Sequence, residues 1–336
     1  MTYIRKPALL FLLLPLVLCG CKGKNTGSAT AETRMWHIGI CESESSSYGD
    51  IITDGFSDAL SDELPDDSVT FTREYISDER SGDAILRDFL SDEDDMILTI
   101  GDEALSAAAA ATEDIPIITT DVIDLQSAVE LPDMSSDFRT GRNITGITGM
   151  PNLADQLSLA IEVTPKLKTI ALVYGKGDTH STEQIRQLRA MLDEAGLDSI
   201  IYQLGDDIDK KKIQRICDRS DAIMIPAKSG LYAHAKEISG IAAKAKVPTI
   251  GGDVVIGENT LVCLCPDYYS IGYSAGKQAA EILGRGKNPA RIGVGLNSYE
   301  GIKLYKKNIA EKMDITFPKS FHEYDPSDLN SVFADR

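Results

Sequence analysis

Apolar and polar residues alternate along this chain in two rhythms. Residues 37–40 (HIGI) and 69–75 (VTFTREY) have the period of β-strands. Residues 96–100 (MILTI) form a continuous apolar run between acidic residues and Gly101, the pattern of a strand covered on both faces. Residues 115–119 (IPIIT) read the same way. Between these runs the apolar spacing turns helical. Ile51, Ile52, Phe56, Ala59 and Leu60 share one side of a helix over 48–64, and further helices are expected over 84–90 and over the alanine-rich 103–111. The order β-α-β-α-β-α-β predicts a parallel, doubly wound sheet.

After Asn143-Ile144-Thr145-Gly146 the rhythm starts again. A helix over 153–163 precedes a strand at 169–174 (TIALVY). Ser181-Thr182-Glu183-Gln184 has the form of a capping box, which predicts a helix opening at Ser181 and running to Gly196. Strands at 199–204, 222–226 and 247–250 alternate with helices at 209–217 and near 231–245. A further strand, 261–266 (LVCLCP), leads into a helix from Asp267 to about Gly284, and the tail from Arg291 carries a strand (IGVGL). The two units share an order of elements but no residue-level repeat. The fold class expected is α/β, with two doubly wound parallel-sheet lobes.

The N-terminal segment differs from the rest. Arg5 and Lys6 precede an apolar run at 8–18 (ALLFLLLPLVL), shorter than the roughly 20 residues of a membrane-spanning helix and suited to a secretory signal. Leu18-Cys19-Gly20-Cys21 resembles the bacterial lipobox. That resemblance implies a lipoprotein signal peptide over 1–20, a lipid on Cys21, and a chain exported across the cytoplasmic membrane and anchored at the cell surface or periplasmic face. Residues 21–34 are small and polar, as a flexible tether requires.

Charge and chemistry narrow the function further. The formal net charge is −18, which repels nucleic acid and anionic lipid surfaces. Acidic runs such as 91–95 (SDEDD) read as solvated loops. After Cys21 only Cys41, Cys217, Cys263 and Cys265 remain, too few for a disulfide framework. His37, His180, His234 and His322 are scattered, so no metal site is expected. Gly175 to Ser181 follows a strand and precedes a helix but lacks both glycine-rich nucleotide motifs. No nucleophile elbow and no H-E-x-x-H is present. The expectation is a protein without cofactor or catalytic residues, and not an enzyme.

Polar or glycine-containing segments instead stand at the carboxyl ends of the expected strands, where open parallel sheets bind ligands. From the first unit the candidates are Ser45, Ser46, Gly101, Asp102, Thr120 and Asp121. From the second they are Tyr174, Ser181, Pro226, Ser229 and Asp253. Two such rims facing each other describe a cleft for a small-molecule solute.

From about His37 to Pro289 the chain resembles the tryptophan/tyrosine-type substrate-binding proteins of ABC transporters, which have the type I periplasmic-binding-protein fold. Gly141-Arg-Asn-Ile-Thr-Gly-Ile147, Thr164-Pro-Lys-Leu-Lys-Thr-Ile-Ala-Leu-Val-Tyr174 and Asp267-Tyr-Tyr-Ser-Ile-Gly-Tyr-Ser-Ala-Gly276 carry the likeness. The resemblance implies a hinged receptor that closes on an amino acid or related solute and presents it to an ABC permease and its ATPase. It also implies three crossings between lobes, near 147, 260 and 290, with 35–147 plus 261–289 as lobe 1 and 148–260 plus 290–336 as lobe 2. Thr120-Asp121 matches the family's Thr-Asp and is expected at the ligand's polar end. Two departures bear on the ligand. Ser45-Ser46 stands where the family often has Glu-His, and Lys228-Ser229 where it often has Asp-Asn. Lys228 suits a ligand carboxylate or points into solvent. A sensor handing its closed state to a membrane kinase is compatible with the same residues, as, more remotely, is an extracytoplasmic cleft enzyme.

Overall fold

A computed structural model of the chain describes residues 34–123, 125–131, 137–149, 152–205, 207–296 and 301–325. The expected signal peptide, the lipidation site Cys21 and most of the tether lie outside these residues.

The first sheet is built from β1 (Trp36–Glu42), β2 (Val69–Tyr75), β3 (Met96–Ile100), β4 (Ile117–Thr120) and β5 (Ile144–Gly146). The strands alternate with α1 (Ser47–Glu63), α2 (Gly82–Ser91), α3 (Asp102–Ala111) and α4 (Leu125–Ala128). Every pairing is parallel, in the order β2-β1-β3-β4-β5. All of β3 is buried, because helices cover both faces of the sheet and leave no polar side for the strand to present.

The second sheet repeats that order. α5 (Leu153–Val163) leads into β6 (Thr169–Gly175), α6 (Thr179–Glu194), β7 (Asp198–Leu204), α7 (Lys210–Cys217) and β8 (Ala222–Ile225). Then come α8 (Tyr232–Lys244), β9 (Thr249–Gly251), α9 (Val254–Gly257) and β10 (Val262–Cys265). The strands run β7-β6-β8-β9-β10 in space, the same succession as in the first sheet. α10 (Tyr268–Arg285) and a 3₁₀ turn (Pro289–Arg291) follow. β11 (Ile302–Tyr305), α11 (Lys307–Met313) and β12 (His322–Glu323) complete the described chain. β11 pairs antiparallel with β10, and β12 parallel with β11.

Three readings of the sequence are corrected. β10, expected with the first lobe, pairs with β9 in the second sheet. Cys263 and Cys265 face the core shared with β1, α1 and α10, whereas Val262 and Leu264 face the core of the second sheet. A strand apolar on both faces does not disclose which sheet it joins. The chain returns to the first sheet only after Pro266, where α10 packs on α1. Gly55, Gly272 and Gly276 make that approach possible, since a Cβ on Gly272 would lie 2.0 Å from the Ile52 carbonyl oxygen. α6 opens two residues before Ser181, because Asp178 is its N-cap and accepts the Ser181 N–H at 2.9 Å. α10 ends at Arg285, close to the expected Gly284, with Gly286 at a left-handed φ of 64° as its C-cap. The stretch 291–295 makes one isolated bridge, Ile147 to Gly295, and the tail's strand is β11.

Candidate functional site

The loops after β1, β3 and β4 face those after β8 and β9, and together with the start of α10 they enclose a cavity of about 280 Å³. That is just below the usual range for small-molecule sites. Backbone geometry holds the rims close. Gly101 takes φ +95°, and a Cβ there would lie 2.5 Å from Ser43 Oγ. Ser43 Oγ in turn accepts the Ala104 N–H at 3.0 Å, so the first and third strand loops are tied together. On the other rim a Cβ on Gly252 would lie 2.1 Å from Ala227 N. Gln184, fully buried on α6, grips the same peptide at both ends. Its Oε1 accepts the Ala227 N–H at 3.0 Å and its Nε2 donates to the Ala227 carbonyl at 2.9 Å.

The residue carried by that loop is Lys228. Its backbone is left-handed, φ +49°, and its N–H donates to Asp253 Oδ2 at 2.5 Å. Asp253 also caps α9, accepting the Ile256 N–H at 2.7 Å. From this anchor the Lys228 side chain crosses the cavity. Nζ donates to the Asp121 carbonyl at 2.7 Å and to Asp102 Oδ2 at 3.0 Å, and lies 3.4 Å from Asp121 Oδ2. Asp121 is itself left-handed, φ +54°, with Gly149 against its backbone.

Burial opposes the charge on Lys228, but Asp121 and Asp102 outweigh it and hold the ammonium's pKa above its ordinary value. Burial raises the Asp121 carboxyl, and Lys228 limits the rise. Asp253 is likewise raised by burial, with the N–H groups of Ile256 and Lys228 working against it. The aromatic part of the lining is Tyr48, Tyr232 and Tyr268. Tyr48 and Tyr268 stack with ring centroids 5.3 Å apart, and Tyr48 donates to Glu44 Oε1 at 2.6 Å. Burial first, then that bond, raises the Tyr48 phenol. The cavity therefore offers stacked rings beside a charged end whose carboxylates outnumber its one lysine.

Of the residues proposed from the sequence, Gly101, Asp102, Asp121, Ser229 and Asp253 line this cavity. Ser45 is exposed beside it, and Ser46 is spent as the N-cap of α1, its Oγ accepting the Gly49 N–H at 3.1 Å. Thr120 is buried beneath the rim, where its hydroxyl donates to the Thr99 carbonyl at 3.4 Å. Tyr174 packs on the second core, and Ser181 is buried against Asp178. Pro226 is buried just behind Ala227. Ser43, Glu44, Tyr48, Tyr232 and Tyr268 line the cavity without having been proposed for it. Tyr268 stands in the Asp267-Tyr268-Tyr269 motif, a signal that was available. Lys228 does not point into solvent, since its ammonium rests on protein carboxylates.

Comparison with known proteins identifies the family and the fold. The family model described as ABC transporter substrate binding protein matches residues 39–325. A tyrosine-binding protein of Clostridioides difficile (strain R20291) is 26% identical over 280 residues, covering 82% of this chain and 80% of that protein. The ligand-free, open structure of a substrate-binding protein with adhesive properties from Clostridium difficile matches with a TM-score of 0.74 at 22% identity, over 87% of this chain and all of that one. An ABC domain from Streptococcus pneumoniae in complex with L-Trp matches with a TM-score of 0.62 at 23% identity, over 84% and 96% of the two chains. These neighbours share the type I periplasmic-binding-protein fold that the resemblance implied, with the parallel-sheet lobes that the element order predicted. The chain belongs to the family of ABC transporter substrate-binding proteins.

Proposed function

We propose that this protein is a lipid-anchored, extracytoplasmic receptor that captures an aromatic amino acid and delivers it to an ABC permease and its ATPase. Its two lobes follow the two sheets, and the second crossing lies at Pro266. The lobes close on the solute by bending at the crossings. Cys21 carries the lipid, so a Cys21→Ser variant is expected in the culture supernatant or soluble periplasm instead of the membrane fraction.

The observation that carries the reading is the cavity itself. Carboxylates from one sheet, a lysine from the other and the Tyr48–Tyr268 stack surround a space the size of one small solute. The named relatives, one tyrosine-binding and one solved with L-Trp, support an aromatic amino acid. The test is a thermal-shift and calorimetric screen of amino acids on the purified protein. A true solute stabilises the fold by about 2.7 kcal/mol when its free concentration is a hundredfold above Kd. A screen in which no amino acid shifts the melting curve would refute the proposed solute class.

A further inference from the structure

We infer that Lys228 is the seat for the ligand's carboxylate, and that a zwitterion enters by exchanging with the Lys228–Asp102–Asp121 ion pair. The inference rests on the amino-acid reading above and concerns how that one site chooses its ligand.

An ammonium has three N–H donors. Around Lys228 Nζ stand three acceptors, the Asp121 carbonyl at 2.7 Å, Asp102 Oδ2 at 3.0 Å and Asp121 Oδ2 at 3.4 Å. In this arrangement the lysine has no donor left for a ligand carboxylate. The acids it touches also make the spot unfavourable for an added anion. Asp102 is only partly used, because its Oδ1 is buried with no hydrogen-bond partner. The Lys228 side chain remains 31% exposed, so a solute in the cavity can reach it.

Consider the three charge types of one aromatic solute. An amine without a carboxylate must share the two aspartates with Lys228, and each one it takes is lost to the lysine with no anion to replace it. An acid without an amine can take Lys228 only by leaving the two aspartates unpaired. Breaking a buried ion pair from one side is strongly unfavourable. A zwitterion alone satisfies both partners, with its ammonium on Asp102 and Asp121 and its carboxylate on Lys228. The two lysine–aspartate contacts become three charged contacts, two at the ligand's ammonium and one at its carboxylate, and no charge is stranded. The two seats lie on opposite rims, since Lys228 follows β8 while Asp102 and Asp121 follow β3 and β4. The ligand thus replaces a direct bond between the rims with itself. Lys228 is held ready for this by its backbone, which Asp253 and the Gln184 grip on Ala227 fix independently of the side chain.

The experiment uses the full-length protein in detergent micelles and isothermal titration calorimetry. The probes are L-tyrosine, tyramine and 3-(4-hydroxyphenyl)propionate, with L-tryptophan, tryptamine and indole-3-propionate as a second set. The wild type is expected to bind an amino acid at least a hundredfold more tightly than either half-charged analogue. Lys228→Met should weaken the amino acid at least tenfold and bring the amine to equal or tighter binding. Lys228→Arg should keep the preference for the zwitterion. If Lys228→Met does not fold, Asp121→Asn asks the converse question, and the acid should then gain on the amino acid at least tenfold. A wild type that binds the amine within tenfold of the amino acid overturns the exchange while leaving the amino-acid reading intact. So does a Lys228→Met protein whose amine-to-amino-acid ratio is unchanged. A wild type that ignores both amino acids, beside a Lys228→Met variant that binds the amine, overturns the amino-acid reading and supports the assignment of the seats. No binding by any protein overturns both.

Discussion

Asp94 offers a quantitative test of how burial sets stability in the first sheet. It follows α2, is only 6% exposed, and has Oδ2 buried with no hydrogen-bond partner. Burial pushes its carboxyl up to about 6, Asp92 and Asp95 adding repulsion and His37 pulling it back. The native state therefore holds this proton to higher pH than the unfolded chain does, where an aspartate titrates at about 3.9. Below about pH 4 the group is neutral in both states and costs nothing; the penalty grows between about pH 4 and 6 and is complete above that. A rise from about 3.9 to 6 corresponds to about 3 kcal/mol at 1.36 kcal/mol per pH unit. Asp94→Asn removes the charge but brings an amide whose own bonding shortfall costs about 1 kcal/mol or more. The variant is thus expected to be about 1–2 kcal/mol more stable than the wild type at pH 7.5, and no more stable at pH 4. Urea unfolding at both pH values measures this, followed by fluorescence of Trp36, the chain's one tryptophan and a buried residue of β1. A variant that gains nothing at pH 7.5 would refute the argument, as would a gain that persists undiminished at pH 4.

Two further substitutions probe the packing that positions the cleft. Gly272→Ala would set a Cβ 2.0 Å from the Ile52 carbonyl oxygen and force α10 off α1. Overpacking of about 1–3 kcal/mol exceeds the roughly 1 kcal/mol gained by alanine in a helix, so the melting temperature should fall; an unchanged value would mean that the helices separate at no cost. Gln184→Ala strips the buried Ala227 peptide of the side-chain partners on both its N–H and its carbonyl, at about 2–3 kcal/mol. It should lower solute affinity as well as stability, because the Ala227–Lys228 segment loses its clamp. Wild-type affinity in a destabilised Gln184→Ala protein would show that the clamp serves the fold alone.

Much of the architecture was legible because its signals are local. The largely apolar MILTI run, bounded by acidic residues and Gly101, has the pattern of an interior strand, and the spacing around Phe56 that of a one-sided helix. The alternation of such elements implies parallel sheets, whose ligand loops lie at the strands' carboxyl ends. That chain of reasoning reached Gly101, Asp102, Asp121, Ser229 and Asp253. It failed where two local signals competed. Ser181 had the residues of a capping box, but Asp178 stood closer to the true helix start and took the role. Ser46 likewise looked like a rim residue and was already committed to capping α1.

What the amino-acid order determined by itself was the number and kind of elements, the two-fold repetition of their succession, and the rims on which a ligand site could stand. Tertiary structure alone decided which sheet claims β10, because a strand apolar on both faces satisfies either. It also decided what Lys228 does. The lysine and its two aspartates are separated by 126 and 107 residues along the chain, and their meeting depends on how two sheets present their loops to each other. Hydrophobic periodicity records which side of an element is buried; it carries no record of which distant charge will be found there.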